Sequence, residues 1–402
     1  MKIKKLAEEG LFSDGDWIES KDQDANGQIR LIQLADIGDG NFVDKSNRFM
    51  NRETADKLNC TYLKKGDVLI ARMPDPIGRA CLFPLEKSES YVTVVDIAIL
   101  RLSKEHHSKY VMHGLNSPLI RRQIESQVTG TTRLRITKKK IGEIDLPLPP
   151  LDQQKKIAAI LDAADAYRQK TKALIAKYDE LTKSLFLDMF GDPVANPKGW
   201  EVRKLQSIST KIHSGNTPKG GSKVYVDEGI TFFRSQNVWK NRIVYKDVAF
   251  IDEVTHSKMM KSSLKNRDIL MTKTGRINTE NSSLGRAAMY LGQDDKANVN
   301  GHVYLIRLKE DVINEFVLHI LTTNEYREYI RGVCVGGIDK RQLNKDHLEN
   351  FPIISPPIEM QKKFLSHLIS IKSHKTKLES VLNKSEDLFN SLLQKAFKGE
   401  LV

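Results

Sequence analysis

Cysteine is scarce in this sequence, and so are long apolar runs. The three cysteines among the 402 residues are scattered, and no CxxC pair or His/Cys cluster is present. Their number and spacing exclude a disulfide framework and give no zinc-binding pattern. No run of about 18 apolar residues occurs, and the opening residues, MKIKKLAEEGLF, lack the apolar region of a signal peptide. We therefore expect a reduced, cytoplasmic protein with no membrane contact.

Catalytic motifs are missing as well. The sequence has no HExxH, no cluster of metal-ligating residues, no GxGxxG after a strand-like run and no Asn- or Asp-Pro-Pro-aromatic tetrapeptide of amino-methyltransferases. The glycine-rich stretch 213–223, HSGNTPKGGSK, is not a Walker A loop, because Gly221 stands where that motif requires lysine. The sequence therefore indicates recognition, with no catalytic residue, metal or cofactor of its own.

Positive charge is in excess. Lysine and arginine number 64 against 51 aspartates and glutamates, which gives a net charge of +13. Such an excess favours a polyanionic partner, with nucleic acid ahead of an acidic membrane. The alternative is an ordinary basic surface with no specific partner.

The chain is a tandem duplication with an offset of 207 residues. LPLPPLDQQKKIAAIL (146–161) returns as SPPIEMQKKFLSHLI (355–369), and the similarity extends from 128–190 onto 335–397 without a gap. Further upstream, LKKGDVLIARM (63–73) resembles LKNRDILMTKT (264–274), and GRACLFP (78–84) resembles GRAAMYL (285–291). These runs are typical of short strands. We predict strand-rich domains at 1–150 and 193–357, each followed by a long helix, at 151–192 and 358–402.

The two predicted helices carry a heptad pattern. The first is expected to span at least 153–189, about 55 Å at 1.5 Å per residue, and a helix of that length with an apolar seam requires a partner. We expect each helix to pack on its duplicate; the alternative is two core helices that pack on their own domains. The predicted seam on the first helix is Ile160, Ala164, Tyr167, Thr171, Leu174, Tyr178, Leu181 and Leu185, and on the second Ile371, His374, Leu378, Val381, Ser385, Leu388 and Leu392.

A basic stretch at 128–142, VTGTTRLRITKKKIG, is the strongest candidate for DNA contact, and it recurs at 335–348. Glycine permits close backbone approach, and hydroxyls and cations bind phosphate. The alternative is a solvated charged face. The candidates are Gly130, Thr131, Thr132, Arg133, Arg135 and Lys138 in the first copy, Gly336, Gly337, Lys340 and Arg341 in the second, Lys219 and Lys223 in the glycine-rich stretch, and Arg72, Arg234, Lys273 and Arg276 in the strand-like runs.

Over its whole length the chain resembles the specificity (S) subunit of type I restriction–modification systems. The resemblance is carried by the two proline junctions with their helices, by VTGTTRLRI, by SGNTPKGG with ITFFRSQNV, and by LKNRDILMTKTG, all in order. The family commonly has Glu-Gln at the junction, whereas Gln153 and Met360 precede the glutamine here.

The resemblance implies an α+β fold in which two target-recognition domains are separated by a pair of long antiparallel coiled-coil helices. Each domain would read one half of an asymmetric double-stranded DNA site. Two methyltransferase (M) subunits carrying S-adenosylmethionine, and endonuclease (R) subunits using ATP and Mg²⁺, would assemble on this non-catalytic chain. Two other functions stay open at this point: a self-contained DNA methyltransferase or nuclease, and a coiled-coil scaffold that binds protein.

Overall fold

The structure, a computed structural model, describes residues 1–7, 10–86, 90–130, 133–277, 279, 281–337 and 340–401. It divides into two compact units, Met1–Leu174 with Leu378–Val402 (the first unit) and Ile175–Lys377 (the second unit). No helix within the described ranges combines the length and the apolar content that crossing a membrane would require.

The first unit is built on two small sheets. Its strands are β1 (Leu11–Asp14), β2 (Ile29–Ile32), β3 (Phe49–Met50), β4 (Val68–Ala71), β5 (Ala80–Leu82), β6 (Tyr91–Thr93) and β7 (Ile97–Arg101). Its helices are α1 (Arg52–Lys57), α2 (Ser108–Leu115), α3 (Pro118–Glu125), α4 (Lys138–Gly142) and the first part of α5 (Leu151–Phe190). One sheet is antiparallel in the order β1–β7–β4–β5; the other has the order β3–β2–β6, with β2 and β6 parallel.

The second unit repeats this plan with additions. Its strands are β8 (Val202–Lys204), β9 (Ser209–Ser214), β10 (Ile230–Phe233), β11 (Val238–Trp239), β12 (Arg242–Ile243), β13 (Ala249–Ile251), β14 (Ile269–Thr272), β15 (Thr274–Gly275), β16 (Ala287–Met289), β17 (Ala297–Val299), β18 (Val303–Leu308), β19 (Val335–Gly337), β20 (Lys340–Gln342) and β21 (Pro352–Ile354). Its helices are α6 (Glu253–Lys258), α7 (Asn314–Thr322), α8 (Asn324–Val333), α9 (Lys345–Glu349) and the first part of α10 (Ile358–Lys398).

The sheet topology confirms the internal repeat. The order β9–β18–β14–β16 reproduces β1–β7–β4–β5, and β13–β10–β17 reproduces β3–β2–β6 down to the parallel pair. Three small sheets, β11–β12, β15–β20–β19 and β8–β21, complete the described part of the second unit. The predicted α+β fold with two strand-rich domains and two long helices is confirmed.

The repeated proline junction has a local structural cause. The Gln154 side chain donates a 2.8 Å hydrogen bond from Nε2 to the Pro149 carbonyl, and Gln361 makes the same 2.8 Å bond to Pro356. Both glutamines are buried, so each amide satisfies a carbonyl that the following helix cannot reach. The junction therefore fixes the direction in which each long helix leaves its unit.

Each unit also contains the same buried ion pair. In the first unit the Arg101 guanidinium donates twice to Asp67, both at 2.8 Å, and in the second Arg307 donates to Asp268 at 2.8 and 2.7 Å. Both aspartate side chains are only 1% exposed. Removal of either carboxylate would leave a largely desolvated guanidinium without its partner. The ion pair therefore joins one end of β4 to β7 in the first unit and of β14 to β18 in the second in the same way.

A histidine in the second core predicts acid sensitivity. His319 lies between the rings of Phe186 and Phe364, with ring centres 4.8 and 4.9 Å away. Burial, with the charge of Lys240, lowers the pKa of His319 to about 4 from an ordinary 6.5. The unfolded chain therefore binds a proton between pH 6.5 and 4 that the folded chain rejects, and stability falls as the pH falls through this window.

The full effect corresponds to about 3 kcal/mol of folding free energy. The measurement is the Tm of the intact chain between pH 7 and 4, compared with that of His319→Phe, which keeps an aromatic ring but cannot titrate. The variant should lose part of the acid-induced decrease in Tm. Parallel pH profiles for the two proteins would contradict the assignment.

Candidate nucleic-acid interface

Inside each unit, the two long helices run antiparallel to each other. Residue numbers that increase along α5 face numbers that decrease along α10. The contacts are Arg168 with Phe389 and Lys172 with Glu386 in the first unit, and Asp179 with Lys375 and Phe186 with Phe364 in the second. The predicted pairing of each helix with its duplicate is therefore present in both units.

The predicted seam has two positions in each heptad, and the structure confirms only one of them as at least partly buried between the helices. Tyr178, Leu185, Ile371, Leu378 and Leu392 are at least partly buried, as expected. The other predicted position faces outward: Ile160, Leu174, Leu181 and Leu388 are 39%, 41%, 48% and 57% exposed, while Val381 is partly buried.

In the observed seam, each predicted position that faces outward is replaced by the residue that follows it in the sequence. Its buried and partly buried positions are Ile157, Leu161, Ala164, Arg168, Thr171, Ile175, Tyr178, Thr182, Leu185 and Met189 on α5, and Phe364, Leu368, Ile371, Lys375, Leu378, Leu382, Ser385, Phe389, Leu392 and Ala396 on α10. One residue is a rotation of about 100°. The apolar pairs 160/161 and 174/175 allow both faces, and Arg168 takes the inner position from Tyr167 because its guanidinium lies 4.3 Å from the Phe389 ring centre.

The basic stretch of the first unit forms a tight hairpin. Thr129 and Arg135 exchange backbone hydrogen bonds of 3.0 and 2.9 Å. Gly130 has φ +109°, and a Cβ there would lie 2.3 Å from the Arg133 carbonyl, so the turn requires glycine. Thr131 and Thr132 lie outside the described residues. Arg133 is exposed, and its side chain has no hydrogen bond or ion pair within the described residues.

The second unit has the matching hairpin, formed by β19 and β20 with Val335 opposite Gln342. Gly336 has φ +117°, and a Cβ there would lie 2.6 Å from the Lys340 carbonyl. Gly130 therefore corresponds to Gly336. The expectation that it corresponds to Gly337, from an ungapped offset of 207, is wrong, because this hairpin contains one additional residue.

Three candidate cations beside the first hairpin lie close to carboxylates of the same unit, unlike Arg133. Arg72 is buried; its guanidinium pairs with Asp14 and donates to the Ile136 carbonyl at 3.0 Å. Burial lowers the pKa of Arg72, although Asp14 opposes this effect. Arg135 pairs with Asp96 at 3.0 Å, and Lys138 lies 3.9 Å from Asp14. Arg72 therefore holds the hairpin in place and is not presented to a ligand.

The equivalent positions of the second unit are occupied differently. Arg135 is replaced by Gln342, Lys345 in place of Lys138 pairs with Glu349 at 2.8 Å, and Lys273 in place of Arg72 has no carboxylate partner among the described residues. Lys273 matches Arg72, because its N–H and carbonyl bond to His302 and Leu343 where those of Arg72 bond to Asp96 and Ile136. The Lys273 ammonium lies 5.5 Å from the centre of the Tyr304 ring.

The remaining candidates divide into two groups. Arg276 and Lys340 are exposed and line one open cavity of about 400 Å³, and Arg341 of the same hairpin donates to the Cys334 carbonyl at 3.1 Å. Lys219, Lys223 and Arg234 lie elsewhere in the unit. The two lysines are exposed, and Arg234 donates to the Asp247 carbonyl. No contact among the described residues joins these three to the hairpin.

Sequence reasoning missed the residues that shape this cavity. Thr279, Asn281, Ser282 and Ser283 line it together with β15. Buried Arg286 donates to the Ser282 carbonyl at 2.9 Å and to the Asn281 carbonyl, and it stacks 4.0 Å from the Trp239 ring centre. The sequence does contain a signal for this loop, because the spacing between the strand-like run and the Gly-Arg-Ala triplet is longer in the second copy than in the first.

A family model for the type I restriction modification DNA specificity domain matches residues 1–178 and again 197–385. The chain belongs to this family. Each match contains one of the two hairpins described above, so each copy of the specificity domain has its own.

The chain is similar to curated specificity subunits of type I restriction enzymes. The StySPI specificity subunit of Salmonella potsdam is 24% identical over 75% of this chain and 67% of its own. The EcoKI specificity subunit of Escherichia coli K12 is 22% identical over 75% and 68%, and the MjaIX specificity subunit of Methanocaldococcus jannaschii is 22% identical over 99% and 93%.

Solved structures share the fold. A chain from a type I R-M system aligns over 100% of this chain and 97% of its own, with a TM-score of 0.60 and 16% identity. The S subunit from M. genitalium aligns over 99% and 95%, with a TM-score of 0.52 and 15% identity. At these identities the similarity describes the fold of a specificity subunit.

Proposed function

We propose that this chain is the specificity subunit of a type I restriction–modification complex and reads a bipartite, asymmetric site on double-stranded DNA. As a member of the specificity family it is the non-catalytic component, which argues against a self-contained methyltransferase or nuclease. The observation that carries the bipartite site is the pair of hairpins, which share a glycine at positive φ but differ in length and in the residues around them. Two domains of the same fold that present different residues around their hairpins are suited to two different half-sites.

We further propose that two M subunits dock on the chain, one for each unit, and that R subunits join them. S-adenosylmethionine, ATP and Mg²⁺ would be bound by those partners. An exposed apolar row on α5 supports a docking role: Ile160, Tyr167, Leu174 and Leu181 recur at seven-residue spacing and are 39% to 56% exposed. Large apolar side chains along one line of a helix are typical of a surface that another protein covers.

The test of the proposed function is the methylated motif. The chain is expressed with its M subunits in cells that lack other DNA methylation, and the methylome is sequenced. We expect one motif composed of two short sequences separated by a fixed gap. A continuous motif, or methylation without a motif, would contradict the bipartite reading.

Arg133 should contribute affinity for the DNA backbone. Because its guanidinium is exposed and has no partner among the described residues, Arg133→Ala is expected to weaken binding to cognate and unrelated DNA alike and to reduce the salt slope by about one. Arg135→Ala is the matched comparison. Its guanidinium already pairs with Asp96, so its effect on the slope should be smaller. Lost discrimination with unchanged affinity for unrelated DNA would instead place Arg133 on a base edge.

A further inference from the structure

The two units differ in the loop that joins the central strand to the buried arginine of the Gly-Arg-Ala triplet. Arg79 follows Arg72 by 7 positions, whereas Arg286 follows Lys273 by 13, so the second loop is 6 residues longer. Both loops end at a glycine under a helix: a Cβ would lie 2.4 Å from Ile124 at Gly78 and 2.9 Å from Ile330 at Gly285. The loops therefore end at equivalent positions, Gly78 and Gly285, and the second has 6 more residues before its glycine.

The longer loop changes the hairpin beside it. Its first residues form β15, which pairs with β20, Thr274 opposite Gln342 and Gly275 opposite Arg341. The second hairpin thereby becomes the three-stranded sheet β15–β20–β19. In the first unit the corresponding residues are Met73 and Pro74 of a short loop, and the described residues there include no such strand. The cavity of about 400 Å³ lies at this added strand.

The chemistry of the cavity suits an anion. Its described lining consists of the cations Arg276 and Lys340 with the backbone and neutral polar side chains of 274–275, 279 and 281–283. The side chains of Arg276 and Lys340 have no hydrogen bond or ion pair within the described residues. Glu280 and Asp339 lie outside the described residues.

In the first unit, two carboxylates neutralise cations beside the hairpin, and the second unit has neither carboxylate at the equivalent positions. Asp14, opposite Ala98 in its sheet, corresponds to Ser214, opposite Tyr304, and Asp96 corresponds to His302. The two carboxylates that neutralise Arg72 and Arg135 are thus absent from the equivalent positions beside Lys273 and β20. The first unit neutralises Arg72 and Arg135 and leaves Arg133 exposed, whereas Lys273, Arg276 and Lys340 of the second unit have no carboxylate partner among the described residues.

We infer that the cavity lined by Arg276, Lys340 and the described residues of 274–283 is a binding site for DNA phosphate that the first unit lacks, so the second unit supplies the larger share of affinity for the DNA backbone. This inference rests on the proposed function, because it assigns unequal roles to the two domains of a DNA-specificity subunit. Arg286 positions the loop through the carbonyls of 281 and 282, while Arg276 and Lys340 meet the phosphates.

The experiment measures DNA affinity of the chain assembled with its M subunits, from 50 to 200 mM KCl, on duplexes with the methylated motif and on unrelated duplexes. Arg276→Ala with Lys340→Ala removes both cations. Two lost phosphate contacts reduce the salt slope by about 1.8, so the loss of affinity across this salt range becomes about 12-fold smaller. Arg276→Lys with Lys340→Arg keeps both charges and should keep the slope.

Two controls separate this site from general charge. Lys309→Ala removes an exposed lysine at the other end of β18, away from the Lys273–His302 contact, and should leave the slope unchanged. The exchange of equivalent residues should act in opposite directions: His302→Asp reduces the slope, and Asp96→His increases it by releasing Arg135.

An unchanged slope in the double alanine variant would overturn the inference, as would a reduction no larger than that of Arg133→Ala. Either result leaves the proposed function intact if the wild-type complex still distinguishes its motif from unrelated DNA. Failure of the wild-type complex to make that distinction would count against the proposed function itself.

Discussion

Three heptads inserted into both long helices, after Leu174 and after Val381, are expected to lengthen the gap of the methylated motif by roughly 9–11 base pairs. Each insertion adds about 31.5 Å of helix, close to the 34–36 Å of one DNA turn. Seven-residue multiples preserve the seam, since the helix drifts by only about 20° per heptad. The insertion points also match, because Lys172 faces Glu386 while Asp179 faces Lys375.

A single heptad is the informative control. It adds about 10.5 Å, or about three base pairs, over which DNA turns by about 100°. The two domains would then meet different sides of the duplex, so methylation at the original gap should be lost and three additional base pairs should restore it only partly. The measurement is the methylated motif of each variant. If the three-heptad variant kept the original gap, the M subunits and not the helices would set the spacing.

Exchange of residues 195–355 for the matching region of another specificity subunit is expected to change one half of the motif completely and the other half not at all. The region carries β8 to β21 of the second unit, including its hairpin, long loop and cavity. It ends after β21 because β21 pairs with β8, and both strands should come from the same donor. The recipient keeps its own α5 and α10, and the residues that contact these helices change only within the exchanged domain.

The reciprocal exchange of residues 1–147 is the matched control and should change the other half only. Methylome sequencing of both chimaeras identifies the altered half. Changes in both halves of the motif from one exchange would mean that the domains do not read independently. A motif unaffected by either exchange would place recognition in the helices or in the M subunits.

The duplication, the two long helices and their pairing could be predicted from the sequence because their signals are local. Two prolines followed by a glutamine mark each helix start, and the glutamine amides make the same bond in both copies. Apolar residues at alternating spacings of four and three predict a paired helix wherever they occur. Strand-like runs in the same order predicted two domains, and the sheets of the two units share one topology.

The inner face of each helix could not be chosen from the same pattern. At 160/161 and 174/175 both neighbours are apolar, so hydrophobicity gives no preference between faces about 100° apart. Arg168 decides against Tyr167 only through its contact with Phe389, which lies on the other helix. The sequence alignment of the two hairpins was wrong by one residue for a similar reason. Only the structure shows which carbonyl each glycine approaches, and this contact reveals the additional residue.

By itself, then, the sequence determined the family, the repeat and the presence of a basic stretch in each copy. The tertiary structure decided which of those basic residues are free. Arg72 is neutralised by Asp14, 58 positions away in the chain, and Arg135 by Asp96. In the second unit Ser214 and His302 take the places of these acids, and a longer loop adds Arg276 beside Lys340. Charge compensation acts over a few ångströms in space, so a list of cations along the chain cannot show which of them are available to DNA.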